Sequence, residues 1–156
     1  MFRRDFASAA AAFLLLFSVS SAAADDIGYD PKADPFEQLE QGVARAQTED
    51  KLVLLISGGD WCIWCHYLNA FIKNNADVEQ PLHDTFVVVK VYVGDENKNE
   101  EFFSSWPEAA GAPHFWVFSA EGNLLSSQPT VVLEDGAKSY DKQEFLKFIS
   151  RWKNRG

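Results

Sequence analysis

The alternation of apolar and polar residues divides the chain into helices and strands, and the clearest pattern lies in its middle. Residues 52–57 form a continuous apolar run, typical of a strand covered on both faces, and two glycines end it. A helical pattern then begins at the first cysteine, because apolar side chains recur at spacings of four, three and four residues. These side chains are Trp61, Cys65, Leu68 and Ile72. Residues 86–93 predict a second strand, interrupted by Lys90, so we expect a right-handed βαβ unit with parallel strands.

Two further helices are predicted at the ends of this unit. Asp34 is placed to cap a helix at residues 35–48, with Pro35 at its first position and Glu37 three residues after the cap. Asp141 is likewise placed to cap a final helix. Each helix has an apolar stripe that we expect to face the core, Phe36, Leu39, Val43 and Ala46 in the first and Phe145, Phe148, Ile149 and Trp152 in the last.

The connection after the central helix is polar. Two asparagines, at positions 74 and 75, indicate where that helix ends, and Asp77 is expected to cap a short further turn through Leu82. Residues 94–112 predict a loop-rich segment that contains a short helix at residues 100–105.

The last third of the chain predicts a hairpin. Residues 114–118 and 124–127 have strand patterns, and the turn between them, at residues 121–123, contains a glycine. Residues 128–140 are ambiguous, and residues 130–133 fit either an extension of the strand or a packed loop.

Residues 1–24 have the pattern of a cleaved export signal. Two arginines at positions 3 and 4 precede an apolar segment at residues 7–17 that is too short to cross a bilayer, and three alanines then form a small-residue cleavage site. We therefore predict a periplasmic or secreted protein whose residues 25–156 form one domain. An uncleaved membrane anchor is the alternative, and residues 3–6 also fit a loose twin-arginine pattern, which would mean export after folding.

The acidity of the chain bears on its partners. The formal net charge is −9, and removal of residues 1–24, with their two arginines and one aspartate, makes the remainder one unit more negative. Such a charge argues against nucleic acid and anionic membranes as partners. High solubility is the simplest explanation for it.

The chain has only two cysteines, Cys62 and Cys65. An exported protein is exposed to an oxidising compartment, where disulfides usually staple small domains. A bridge across three residues, however, closes a very short loop and adds roughly 2 kcal/mol, against about 4.7 kcal/mol for a 100-residue loop. The spacing therefore favours a disulfide that opens and closes.

The predicted position of Cys62, at the start of a helix, indicates reactivity. Only a thiolate attacks a disulfide, and in a Cys-x-x-Cys motif at a helix N-terminus the thiol pKa falls from about 8.5 to about 3.5–7.5. The unpaired N–H groups and the positive end of the helix dipole stabilise the anion there. Cys62 is thus expected to attack a partner disulfide, and Cys65, one turn further on the same face, to attack Cys62 and release the reduced partner.

His66 directly follows the second cysteine, so the sequence also fits Cys-x-x-Cys-His, the attachment signature of c-type haem. The only methionine is Met1, which would be lost with the signal, so a second haem ligand would have to be His83 or His114. A zinc site built on the cysteines and His66 lacks a second ligand pair. The simplest interpretation makes His66 a solvated residue that modestly tunes the cysteines, and the other two histidines structural.

The order of elements, with Trp-Cys-x-x-Cys at the start of a helix, resembles the thioredoxin fold over residues 35–152. The resemblance implies an α/β protein with a central mixed four-stranded sheet flanked by helices. Trp61 immediately precedes the first cysteine, as in that family. Lys90 matches a lysine that lies near the buried cysteine, and Pro113 matches a cis-proline that faces the disulfide.

The resemblance also implies how a partner protein would bind. A cis bond before Pro113 would leave the backbone of Ala112 free to pair with an extended substrate. Trp61 and Trp64 are expected either to form an apolar rim for such partners or to pack internally.

Two positions depart from the family. Ile56 occupies the place of a buried aspartate, so proton transfer to Cys65 would need Lys90, water or another group. The dipeptide between the cysteines, Ile63-Trp64, matches neither the reductants nor the strong oxidants of the family. Both departures leave the direction of electron flow open.

Together these features predict an exported thiol–disulfide oxidoreductase, without a cofactor other than the Cys62–Cys65 pair. Its partners would be protein thiols and disulfides and a redox partner protein, and the lack of a recognisable dimerisation segment favours a monomer. A thioredoxin-fold binding or chaperone module, in which the cysteine pair is incidental, is the main alternative, and a haem protein is the other.

Overall fold

The computed structural model describes residues 27–153 and Arg155, so the predicted export signal lies outside the described residues. The helices and strands follow each other in the order α1 Pro35–Glu49, β1 Leu52–Gly58, α2 Ile63–Asn74, α3 Ala76–Thr85, β2 Phe86–Tyr92, α4 Glu100–Phe103, β3 His114–Phe118, β4 Leu124–Pro129, a 3₁₀ turn Thr130–Leu133 and α5 Lys142–Trp152. None of these helices is long and apolar enough to cross a membrane.

The four strands form one mixed sheet in the order β2-β1-β3-β4. Strand β1 runs parallel to β2 and antiparallel to β3, and β3 pairs with β4 as an antiparallel hairpin. The predicted βαβ unit, the hairpin and the mixed four-stranded sheet are therefore confirmed.

Helices cover both faces of the sheet, which is why every residue of β1 is buried. On one face, Leu54 and Ile56 pack against α2, α3 and α5. On the other face, Val53 and Leu55 belong to a second cluster with residues of α1 and α4. Gly42 of α1 lies so close to the sheet that a Cβ there would be 2.4 Å from a methyl group of Val89.

The predicted helix starts are largely correct. Asp34 accepts hydrogen bonds from the N–H groups of Phe36 and Glu37, and Asp141 accepts one from Glu144. The apolar stripe of α5 is buried as expected. Phe36, in contrast, is 52% exposed, and its ring contacts the ring of Phe102 edge-on.

The prediction for Asp77 was wrong. Helix α3 begins at Ala76, one residue before Asp77, and continues through Thr85, beyond the expected end at Leu82. Asn75 precedes it without capping it, because its side-chain amide instead donates to the carbonyl of Phe71 at the end of α2. Asp77 lies within the first turn and accepts hydrogen bonds from Lys142.

Two of the less regular segments also differ from the prediction. The helix predicted at residues 100–105 is a single turn, Glu100–Phe103. Strand β4 continues to Pro129, and Thr130–Leu133 forms one 3₁₀ turn, so this segment is neither a strand extension nor a loop.

Candidate active site

The Cys62–Cys65 pair lies where β1 passes into α2. The N–H of Cys62 donates to the carbonyl of Gly59, which closes a tight turn, and Cys62 is the residue that caps α2. The two sulfurs form a disulfide with a Cα–Cα distance of 5.2 Å. The N–H of Cys65 points at the Sγ of Cys62, at 3.2 Å. A negative charge on this sulfur would thus be stabilised both by that N–H and by the positive end of the helix.

Pro113 faces the disulfide from the start of β3. Its peptide bond with Ala112 is cis, as the resemblance predicted, and the carbonyl oxygen of Ala112 is 3.5 Å from the Sγ of Cys62. Thr130 donates a 2.7 Å hydrogen bond to the carbonyl of Pro113, so the 3₁₀ turn holds this segment from behind. No hydrogen bond from the Ala112 N–H occurs within residues 27–153.

The three apolar residues around the cysteines point in different directions. Trp61 is 59% exposed, and its indole N–H donates to the carbonyl of Val93. Ile63 is exposed as well, whereas Trp64 is half-buried and packs edge-on against Tyr67 and Tyr140. Trp61 is therefore a surface residue and Trp64 packs internally. A rim for partner proteins formed by Trp61 stays a prediction.

A groove of about 710 Å³ lies next to the active-site turn, and Trp61 and Ala112, the neighbours of Cys62, are part of its wall. Its walls are mainly aromatic or apolar, with Trp61, Phe103, Trp106, Ala112 and Trp116 among them. Two polar atoms in these walls, Ser57 Oγ and Trp116 Nε1, are buried and have no hydrogen-bond partner in the described part of the chain. We call this cavity the front groove.

The rim of the front groove is acidic. Three carboxylates, from Asp95, Glu100 and Glu108, line it together with a single lysine, Lys98. The Lys98 ammonium lies 4.0 Å from the Glu100 carboxylate. A neutral or positively charged occupant therefore fits the groove better than an anion.

A second, smaller cavity of about 210 Å³ lies behind Cys65. Lys90 reaches it from β2, where the resemblance placed a lysine near the buried cysteine. Its ammonium donates to the carbonyl of Ile27 and to the side-chain oxygen of Asn69. Ile56, in the place of the family's aspartate, contributes an apolar wall.

Tyr29 is the residue of this cavity that the sequence analysis missed. It belongs to one apolar cluster with both cysteines, Ile27 and Tyr92, although it lies more than thirty residues before the motif. Burial, followed by the nearby Tyr140 and Asp60, raises the pKa of Tyr29 well above its usual range. The sequence did indicate that this segment is buried, because Ile27 and Tyr29 are the only large apolar residues in the polar segment 25–33.

The three histidines have separate surroundings. His66 Nε2 is 2.8 Å from the carbonyl oxygen of Asp60, so its ring lies against the turn before the helix. His114 is buried against Ser127, and burial lowers its pKa, whereas His83 is exposed on α3. Within residues 27–153 no three His, Cys, Asp or Glu side chains converge as metal ligands would. Both sulfurs that a haem would need are bonded to each other.

Comparison with known proteins agrees with this geometry. Over 94 residues the chain is 29% identical to the thiol:disulfide interchange protein DsbD of Colwellia psychrerythraea, and the match covers 60% of this chain but only 15% of that protein. A disulphide isomerase from Xylella fastidiosa superimposes with a TM-score of 0.68 at 24% identity, over 82% of this chain and 98% of that one. A thioredoxin-fold protein from Helicobacter pylori gives a TM-score of 0.43 at 16% identity, over 68% and 84%.

The sequence profile of the thioredoxin-like family matches residues 34–120, which is more than half of the chain. The matched segment contains the first three strands, the cysteine pair and the cis-proline. The chain therefore belongs to the thioredoxin-like family.

Proposed function

We propose that this protein is a thiol–disulfide oxidoreductase that exchanges disulfides with partner proteins through Cys62 and Cys65. The observation that carries the proposal is the position of Cys62 as the N-cap of α2. Its sulfur accepts a hydrogen bond from the N–H of Cys65 at the positive end of the helix. The likeness to a thiol:disulfide interchange protein and to a disulphide isomerase supports the same reaction.

In the oxidised protein, a client thiolate attacks the Sγ of Cys62. The Cys62–Cys65 bond breaks, its electron pair leaves on the Sγ of Cys65, and a mixed disulfide joins the client to Cys62. A second thiolate of the client then attacks the client sulfur in that mixed disulfide and releases Cys62 as a thiolate. The client loses two electrons and becomes a disulfide, while the protein becomes a dithiol; the reverse sequence reduces a client.

The client would bind on the front side of the disulfide. The Ala112 N–H, which makes no hydrogen bond within the described residues, would pair with an extended backbone, and the front groove beside Trp61 would take apolar side chains of the client. The groove is also the feature that favours a binding or chaperone module as the second candidate. Full biological activity of a Cys62→Ala variant would support that module.

We propose that the protein acts outside the cytoplasm, in the periplasm or after secretion, because residues 1–24 predict an export signal. The reduction potential assigns the direction of exchange, because a value near about −270 mV is typical of reductants and one near about −120 mV of oxidants.

The direct test is a Cys65→Ser variant. It keeps the attacking sulfur but cannot resolve the mixed disulfide, so client proteins should accumulate covalently attached to Cys62. Non-reducing electrophoresis of the protein recovered from its native compartment shows them, and Cys62→Ser with Cys65→Ser is the control that should trap nothing. Absence of trapped species, together with no reduction of a test disulfide by the unmodified protein, would refute the proposal.

A further inference from the structure

The cavity behind Cys65 poses a chemical problem for the proposed exchange. Cys65 is only 2% exposed, and the apolar side chains of Ile56 and Leu68 line the cavity with it. When the disulfide opens, this sulfur leaves as a thiolate, and burial among apolar groups disfavours the charged form and raises a thiol pKa. A hydrogen-bond donor close to the sulfur would offset that penalty.

Tyr29 belongs to the same cluster as Cys65, and the lack of a side chain at Gly58 leaves room for its hydroxyl near the sulfur. A Cβ built on Gly58 would lie 2.5 Å from the Sγ of Cys65 and 2.9 Å from the hydroxyl oxygen of Tyr29. The sulfur and the hydroxyl therefore converge on one point above the backbone of β1. The absence of a side chain at Gly58 leaves both groups room there.

The segment that carries Tyr29 is held in place on two sides. The N–H of Ile27 donates to the carboxylate of Asp60 at 3.4 Å, and the carbonyl of Ile27 accepts from the ammonium of Lys90. That ammonium also lies 5.6 Å from the centre of the Tyr29 ring. The ring of Tyr29 is thereby fixed against the disulfide by groups from the active-site turn and from β2.

Several charged or titratable groups face the same cavity and are part of its electrostatics. They are Tyr29 from the segment before α1, Lys73 from α2, Glu79 and His83 from α3, and Lys90 from β2. Asp60 and Tyr140 lie close enough to Tyr29 to raise its pKa together with burial, so the phenol keeps its proton while Cys65 titrates.

We propose that Tyr29 is a positioning residue for Cys65, whose hydroxyl donates a hydrogen bond to the Cys65 thiolate whenever the disulfide is open. The role rests on the proposed exchange reaction. It lowers the energy of the leaving sulfur during attack on Cys62, and it keeps Cys65 ionised for its own attack on a mixed disulfide. The proton stays on Tyr29, and the bonds broken and formed are those of the exchange already described.

The test is the titration of Cys65 in a Cys62→Ser background, where it is the only thiol, followed by the ultraviolet absorbance of the thiolate. Tyr29→Phe removes the hydroxyl and keeps the ring, and it should raise the pKa of the Cys65 thiol by about one pH unit. In the protein with both cysteines, resolution of a mixed disulfide with a model peptide should slow by about tenfold at a pH below that pKa. The initial attack by Cys62 on the peptide should keep its rate.

Tyr92→Phe is the matched control. Tyr92 is buried in the same cluster, but its hydroxyl points at Gly94, where a Cβ would lie 2.6 Å from it. This variant should leave the Cys65 pKa unchanged. An unchanged or lowered pKa in Tyr29→Phe would overturn the proposal.

Two further measurements separate the possible failures. If Tyr29→Phe does not fold, the ring signals of Tyr29 in the Cys62→Ser protein should shift with the titration of Cys65, and by more than those of Tyr92, in a nuclear magnetic resonance experiment. Equal shifts of the two rings would overturn the proposal. The pKa of Cys65 can be measured even if the protein exchanges no disulfide with any client. A failure of the proposed function and a failure of the Tyr29 role therefore give different results.

Discussion

The two sides of the Cys62–Cys65 disulfide are built differently. On the front side, the neighbours of Cys62, Trp61 and Ala112, line a groove of about 710 Å³ with aromatic walls and an acidic rim. On the back side, Cys65 adjoins a cavity of about 210 Å³ that Tyr29 and Lys90 line. The front side offers contacts to a partner, and the back side offers polar groups to a buried sulfur.

Under the proposed function, the two sides therefore separate two properties of one disulfide: its reaction with clients and the ionisation of Cys65. The groups of the front side come mainly from the segment between β2 and β3, whereas Tyr29 comes from the segment before α1. A change on one side therefore need not disturb the other. Variants on the front side should alter which clients react, and variants on the back side should alter how readily Cys65 ionises.

The largest effect is expected at Gly58, which lies between the two sides. In Gly58→Ala the new Cβ would lie 2.5 Å from the Sγ of Cys65, so the sulfur and the ring of Tyr29 must both move. Overpacking of this kind typically costs about 1–3 kcal/mol of unfolding free energy. Chemical denaturation of the oxidised protein measures it.

Gly111→Ala is the control for that change, because a Cβ at Gly111 would meet nothing within 4 Å. Its effect on the free energy of unfolding should stay within about 0.5 kcal/mol. Equal losses in the two variants would show that crowding at the disulfide is not the cause.

An intermediate effect is expected at Trp61, on the front side alone. Trp61→Ala removes an exposed aromatic wall of the groove, and an aromatic contact to a client is worth about 1.5 kcal/mol. The kcat/KM for a peptide with an aromatic residue beside its cysteine should fall by about tenfold, while exchange with a small aliphatic disulfide changes little.

Leu125→Ala serves as the control for that comparison, since it truncates another exposed apolar side chain at the far end of the hairpin from Pro113. It should leave both rates unchanged. A parallel loss with the peptide and with the small disulfide in Trp61→Ala would mean that Trp61 acts on Cys62 itself rather than on the client.

The smallest effect is expected at Ser57, where a substitution should raise the free energy of unfolding instead of lowering it. Ser57 Oγ is buried in the wall of the front groove without a partner in the described part of the chain, which costs stability. Ser57→Ala should therefore stabilise the free protein by about 1 kcal/mol, or about 4 °C in Tm by calorimetry. If a client accepts a hydrogen bond from this hydroxyl, its KM should rise in the same variant, and a loss of stability would contradict the assignment of Ser57 as unpaired.

Most of the fold followed from local rules. The caps at Asp34 and Asp141 were correct because a side-chain oxygen one residue before a helix reaches its free N–H groups whatever the rest of the chain does. The cap at Asp77 failed because α3 begins only one residue after α2 ends, so Asp77 lies inside its first turn, while the side chain of the intervening Asn75 bonds to α2. A sequence pattern does not show which of two adjacent helices an asparagine serves.

The candidate site was predictable only in part. The resemblance identified Lys90 and Pro113, which lie on the back and the front of the disulfide. The resemblance, however, left Trp61 and Trp64 the same two possible roles, although Trp61 lies in the turn and Trp64 in the first turn of α2. Tyr29 was missed because a segment without a helical or strand pattern gives no indication of where it docks.

The sequence by itself determined the Cys62–Cys65 pair at the start of a helix, the order of strands and helices around it, and the proline that precedes β3. These depend on spacings of a few residues, which backbone geometry converts directly into structure. Only the tertiary structure decided what lies near each sulfur: the Ala112 carbonyl, with the front groove beyond it, for Cys62, and Tyr29 for Cys65. Those neighbours come from segments about thirty to fifty residues away along the chain, and the packing of the sheet and its connections alone brings them together.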